Sequence, residues 1–124
     1  MNLAQYRKLI ESVRAGVIAD LTNGPQSTES KLWLGGFMVA MKADNEWLNY
    51  RRLDADLGIE SGTAHRYRAA AMTDILPERV NALGGLTKVA ENPPGPQAQT
   101  YLNATGETLI GRIQGNLSRQ GYNV

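Results

Sequence analysis

Cysteine is absent from this chain of 124 residues, and histidine occurs once, at His65. Without a thiol there is no disulfide, no thiolate nucleophile and no zinc–sulfur centre, a usage that suits a reducing compartment. A single imidazole rules out a multi-histidine metal site, and the acidic residues are not spaced as a calcium loop. A Ser-His-Asp arrangement would have to use His65, whose neighbours Ala64 and Arg66 offer no nucleophile, and no G-x-S-x-G elbow occurs. Gly35-Gly36 and Gly84-Gly85 lack the lysine and the strand-turn-helix setting of a phosphate loop. Asp54 and Asp56 flank Ala55, and residues two apart on a helix do not face each other, so they make a poor acid–base couple. These absences predict a protein that binds macromolecules, with no catalytic residue, no metal and no cofactor.

Charge of one sign is lacking as well. Thirteen basic residues against twelve acidic ones leave a net charge of +1, so long-range steering toward a polyanion is weak. Long apolar runs are missing: KLWLGGFMVAM, residues 31–41, is about half of the ~20 residues a membrane-spanning helix needs, and it reads as a buried helix. The N-terminal MNLAQYRKLIESVRAG has neither the continuous apolar core nor the small-residue cleavage site of a signal peptide. No membrane partner is expected.

The residues that are present specify helices. Apolar side chains make up 42% and charged ones 20% of the chain, a globular composition at a length that suits one domain, 1–124, with a polar tail at 118–124. Leu3, Tyr6, Ile10, Val13, Val17 and Leu21 recur at intervals of three and four, giving one helical stripe over 3–21. Asn23-Gly24-Pro25 ends it, and Ser27 or Thr28 can cap a second helix over 28–43. The Gly35-Gly36 pair inside that helix makes sense if another backbone packs closely there, or if the helix bends. Its Trp33, Phe37, Met38 and Met41 fit core packing, whereas Trp47 and Tyr50 stand where the chain leaves the helix and suit an anchor or a partner. Asp74 and Pro77 suit the start of a helix over 77–90, with Val80, Leu83, Leu86 and Val89 on its apolar face. Asn92 to Pro96 reads as a stiff link, and Leu102, Leu109, Ile113 and Leu117 line a last helix over 97–118. The expectation is an all-α fold, a four- to five-helix bundle whose centre, 53–70, is either extended or a helix-turn-helix.

The sharpest local pattern lies in that centre, YRRLDADLGIESGTAHRYRAA. Leu53 and Leu57 suit the core of a first helix, Gly58 suits a left-handed turn, Ile59 can plug the core, and a second helix can start near Ser61. The run Leu57-Gly58-Ile59-x-x-Gly62-Thr63-Ala64-x-Arg66 is similar to the helix-turn-helix of many bacterial and phage regulators. That resemblance implies duplex DNA as partner, contacted by Thr63, His65, Arg66 and Arg68. Two features depart from it. A small residue is expected where Asp54 stands, because the two helices touch there. Asp54, Asp56 and Glu60 also place negative charge beside the DNA face.

A broader pattern spans residues 3–117. An N-terminal helix leads through NGPQS to a second helix ending MVAMKADNEWLNY. The segment LGIESGTAHRY, the entry DILPERV, the link ENPPGPQ and the final QAQTYLNATGETLIGRIQGNL follow in order. This order resembles the head-to-tail adaptor (connector) proteins of tailed bacteriophages. The resemblance implies a virion protein that forms a homo-oligomeric ring between the portal and tail proteins, with an extended centre. Such a ring closes through complementary lateral faces, for which Arg51, Arg52, Asp54, Asp56, Tyr67, Arg119 and Tyr122 are the candidates. Breadth and near-zero net charge favour the adaptor; local sharpness favours the helix-turn-helix, whose setting would be the cytoplasm. The conformation of residues 53–70 separates the two.

Overall fold

The computed structural model describes residues 1–24, 27–93 and 106–122, and every regular element among them is helical. The N-terminal arm is α1 (Leu3–Val13), a π-helical stretch (Arg14–Ile18) and α2 (Ala19–Asn23) in one continuous run. Asn2 starts it with a reciprocal capping box: its side chain accepts from the Gln5 amide while the Gln5 side chain accepts from the Asn2 amide. The expected stripe is buried at Tyr6, Ile10, Val13 and Leu21, but Leu3 is exposed and Leu9 joins the core in its place.

α3 (Thr28–Asp44) is the central element. Ser27 caps it, its hydroxyl accepting from the Ser30 amide, and Leu32, Leu34, Phe37, Met38, Ala40 and Met41 are all buried. The apolar run of residues 31–41 is thus a core helix, and no helix among the described residues is long and apolar enough to cross a membrane. Packed around it are α4 (Tyr50–Leu57), α5 (Ser61–Ala71), α6 (Pro77–Ala82) and α8 (Leu109–Arg119), while α7 (Leu86–Glu91) packs on α5 and α6. The two central glycines have separate reasons. A Cβ on Gly35 would collide with the carbonyl of Tyr67 on α5 and come within 3.0 Å of the Arg68 amide nitrogen; one on Gly36 would strike the Ile113 side chain of α8. Close approach, one of the two explanations open from sequence, is the operative one.

The centre of the chain takes the helical alternative. Residues 53–70 form α4, a tight turn and α5, so the extended conformation expected of a ring adaptor is not adopted. Asn49 caps α4 by accepting from the Arg52 amide. Gly58 sits at φ 71, where a Cβ is penalised; its amide bonds the Ala55 carbonyl and the Ile59 amide bonds that of Asp54. This is a Schellman close.

Four local expectations are corrected. The helix expected over 77–90 is broken in two, because Gly84 and Gly85 both take positive φ (102 and 104), which ends α6 and starts α7 after a turn. Asp74 does not cap α6, whose N-cap is Leu76 without a side-chain bond; it helps the N-cap Thr108 to cap α8, its Oδ1 accepting from the Ile110 amide at 2.8 Å while the Thr108 hydroxyl accepts from the Gly111 amide. The final helix begins at Leu109 and carries Leu109, Ile113 and Leu117 into the core; residues 94–105, where its start was expected, lie outside the described residues. The polar tail is not extended from 118: Ser118 and Arg119 complete α8, and Tyr122 folds back on the core with its amide bonded to the Leu117 carbonyl.

Gly35→Ala is expected to lower stability by roughly 3 kcal/mol, the upper range of overpacking costs, because backbone rather than a mobile side chain stands in the way. Gly16→Ala, at a helical position with open space around it, should be neutral or gain up to about 1 kcal/mol. Urea unfolding of both variants measures this. Equal midpoints would refute the tight approach of α3 and α5.

Candidate nucleic-acid interface

α5 carries the sequence SGTAHRYRAAA, which contains no acidic residue. Its burial follows a helical period. Ala64, Tyr67, Arg68, Ala70 and Ala71 face the core, whereas Gly62, His65, Arg66 and Met72 are exposed and Ala69 is half-buried between them. The outward residues sit at steps of three and four, so they form one stripe. It is narrow, small at Gly62 and Ala69, and cationic at Arg66. Thr63 is half-buried at its edge. His65 does not line the cleft described below, and no carboxylate is paired with it among the described residues.

Arg68 is not on this stripe, which corrects its expected role as a DNA contact. It is only 6% exposed. Its Nη1 donates to Asp54 Oδ1 at 2.6 Å and reaches the Met38 sulfur at 3.3 Å. The guanidinium also lies over the Tyr50 ring, 4.2 Å from its centroid. A charge held in this way cannot reach a phosphate.

The same pair accounts for the first departure noted in the sequence and for one of the three charges in the second. Asp54 stands where two helices touch because it is the buried counter-ion of Arg68, one turn of chemistry joining α4 to α5. Its charge is also spent internally. Asp56 is engaged too: it accepts from the Tyr6 hydroxyl at 2.5 Å and lies 3.5 Å from Arg52 Nε. Of the three carboxylates beside the α5 face, Glu60 alone is exposed and in no ion pair among the described residues.

Trp47 and Tyr50 are anchors. Trp47 meets the Tyr6 ring edge-on at 5.2 Å, and Arg52 lies over both rings, at 5.2 and 5.4 Å. Tyr50 is flanked by Arg68 and by Lys42, the latter 4.4 Å from the ring centroid. Burial raises the pKa of Tyr6, Tyr50 and Tyr67; the Asp56 contact raises that of Tyr6 further, while Arg68 opposes the rise at Tyr50 and Arg66 opposes it at Tyr67.

The residues expected to form lateral ring faces are dispersed in their roles. Arg51 is exposed. Arg52 and Asp56 pair with each other, and Asp54 and Tyr67 are buried, which removes both as surface contacts. Arg119 donates to the Gly115 carbonyl and the Asn116 side chain of its own helix, and Tyr122 is half-buried against the core. Sequence reasoning missed Lys31. It lines a cleft of about 440 Å³ together with Thr63 and Arg66; its position within an apolar helix segment gave no hint of this. No cluster of potential metal ligands exists among the described residues. No family model matches the chain, and no curated protein or solved structure matches it.

Two outcomes are expected. Asp54→Ala or Arg68→Ala should each cost roughly 3–5 kcal/mol by leaving a buried charge alone, whereas replacing both with apolar residues of similar volume should recover much of the loss. Equilibrium unfolding of the two single variants and the double variant measures the coupling, and additive losses would rule the pair out as a unit. In an alkaline ultraviolet titration, the phenols of Tyr6, Tyr50 and Tyr67 should ionise later than a free tyrosine. A raised folded-state value means this stabilisation is present at and below pH ~10 and is lost as pH climbs past it. Tyr6→Phe should remove part of that alkaline loss.

Proposed function

We propose that the protein is a helix-turn-helix DNA-binding protein of the phage or bacterial regulator kind, non-enzymatic, with α5 as the element that enters the major groove. One observation carries this reading. The outward stripe of α5 carries no acidic residue of its own and is cationic at Arg66, and a glycine turn joins α5 to α4. A helix presented in this way fits the groove, with residues from its first two turns at base edges and flanking groups on phosphates. Gly62, His65 and Ala69 supply a shallow surface with one hydrogen-bonding ring; Arg66 supplies charge.

The low net charge counts less against DNA than the totals suggested. What matters at the interface is local charge. Asp54 is paired with Arg68 in the interior, and Asp56 is paired at the surface with Arg52 and accepts from the Tyr6 hydroxyl. The ring-adaptor reading calls for an extended centre and takes second place.

The test is fluorescence anisotropy with duplex DNA over a range of salt. Binding should be measurable at low salt and weaken as salt rises, with a nonspecific Kd on the order of 10⁻⁴–10⁻⁶ M at physiological ionic strength. Arg66→Glu should weaken it by about tenfold or more, a lost phosphate contact plus repulsion, whereas Arg119→Glu on α8 should change it little. Absence of duplex binding even at low salt, with growth of a ring in light scattering when a portal protein is added, would return the adaptor to first place.

A further inference from the structure

Beside α5 lies the polar cleft that contains Lys31. One wall is the first turn of α3, with Thr28 and Lys31; a second is α5, with Thr63 and Arg66; the third is the Gly84–Gly85 turn and Thr87 of α7. Lys31 and Arg66 form no ion pair with any described residue, and no carboxylate lines the cleft. Two cations and three threonine hydroxyls line one cleft without a counter-ion, a donor-rich set that suits an oxyanion bearing several acceptor oxygens.

We infer that this cleft holds a phosphate of the nucleic-acid backbone, gripped between Lys31 and Arg66 with the threonine hydroxyls as further donors. The inference rests on the DNA-binding reading and deepens it. It divides the labour on α5: Arg66, turned toward the cleft, positions the protein on the backbone, and sequence is read by the rest of the stripe, His65 above all. It also gives the broken helix at Gly84-Gly85 a purpose, since an unbroken helix over 77–90 would not form this third wall. The ligand chemistry is a phosphate oxyanion, and its two sources are a nucleic-acid phosphodiester and a free phosphate ion.

The full-length protein labelled with ¹⁵N, and its Lys31→Gln and Arg66→Gln variants, serve both arms of the test; amide spectra first establish that each variant is folded. In the first arm the proteins bind duplexes of unrelated sequence across a salt series. Each variant should lose affinity to a similar extent on every duplex, and its logarithmic salt slope should fall by about one, the loss of one neutralised phosphate. His65→Ala should instead keep the slope and alter the ranking of duplexes. In the second arm inorganic phosphate is titrated to millimolar levels, where amides of Thr63, Gly84, Gly85 and Thr87 should shift in the wild type and far less in Lys31→Gln. Wild-type duplex binding with an unchanged slope in Lys31→Gln overturns the cleft and leaves the DNA reading standing. Saturable phosphate shifts without duplex binding overturn the nucleic-acid source. If neither duplex nor phosphate binds, both readings fall.

Discussion

α5 lies so close to α3 that no side chain fits between Gly35 and the Tyr67 carbonyl. Much else follows from that contact. It brings the inner face of α5 against the most apolar helix of the chain, so Ala64, Ala70 and Ala71 are buried and the opposite side of α5 must face out. It also draws Arg68 to within reach of the Met38 sulfur, deep in the core. A guanidinium cannot stay there unpaired, because its desolvation cost far exceeds what packing returns. Asp54 supplies the counter-charge from α4 and thereby ties the two helices of the motif to each other as well as to α3.

The electrostatics of the surface are set by this interior arrangement. A buried ion pair is weak evidence for stability, since apolar residues of the same volume often do as well. Its value here is geometric. Arg68 can reach Asp54 only with α5 at one rotation, and that rotation fixes which residues make up the outward stripe. A parallel arrangement secures the far side of α4: Arg52 spans the Tyr6 and Trp47 rings and pairs with Asp56, while Tyr6 bonds the same carboxylate. Both contacts pair a carboxylate near α5 with an arginine, while Glu60 stays exposed and Arg66 is the cation of the outward stripe.

The capping of α8 shows how distant segments are joined. Asp74 takes a left-handed backbone conformation, φ 59, which costs a non-glycine residue about 1 kcal/mol. Its carboxylate holds the Ile110 amide in return. The connection that follows α5 therefore organises the start of the last helix, and Ile113 of that helix fills the space Gly36 leaves open.

Hydrophobic spacing, capping side chains and turn glycines were enough to place most of the helices. The stripe on the N-terminal arm, the Ser27 cap, the left-handed Gly58 and the Leu109–Ile113–Leu117 face are all local features, carried by side chains acting within a turn or two of themselves. The reason for Gly35-Gly36 was half legible, since close approach and bending look alike in one dimension. What the sequence could not settle was which charges meet. Arg66 and Arg68 are two residues apart and chemically identical, yet one faces solvent and the other is buried. Asp54 looked out of place where two helices touch and is instead what pairs α4 with α5. Asp74 pointed to the helix just ahead of it and helps cap one thirty-six residues away. Local pattern is fixed by neighbours along the chain, whereas the partner of a buried charge is fixed by whichever helix packs against it, and that exists only once the chain has folded.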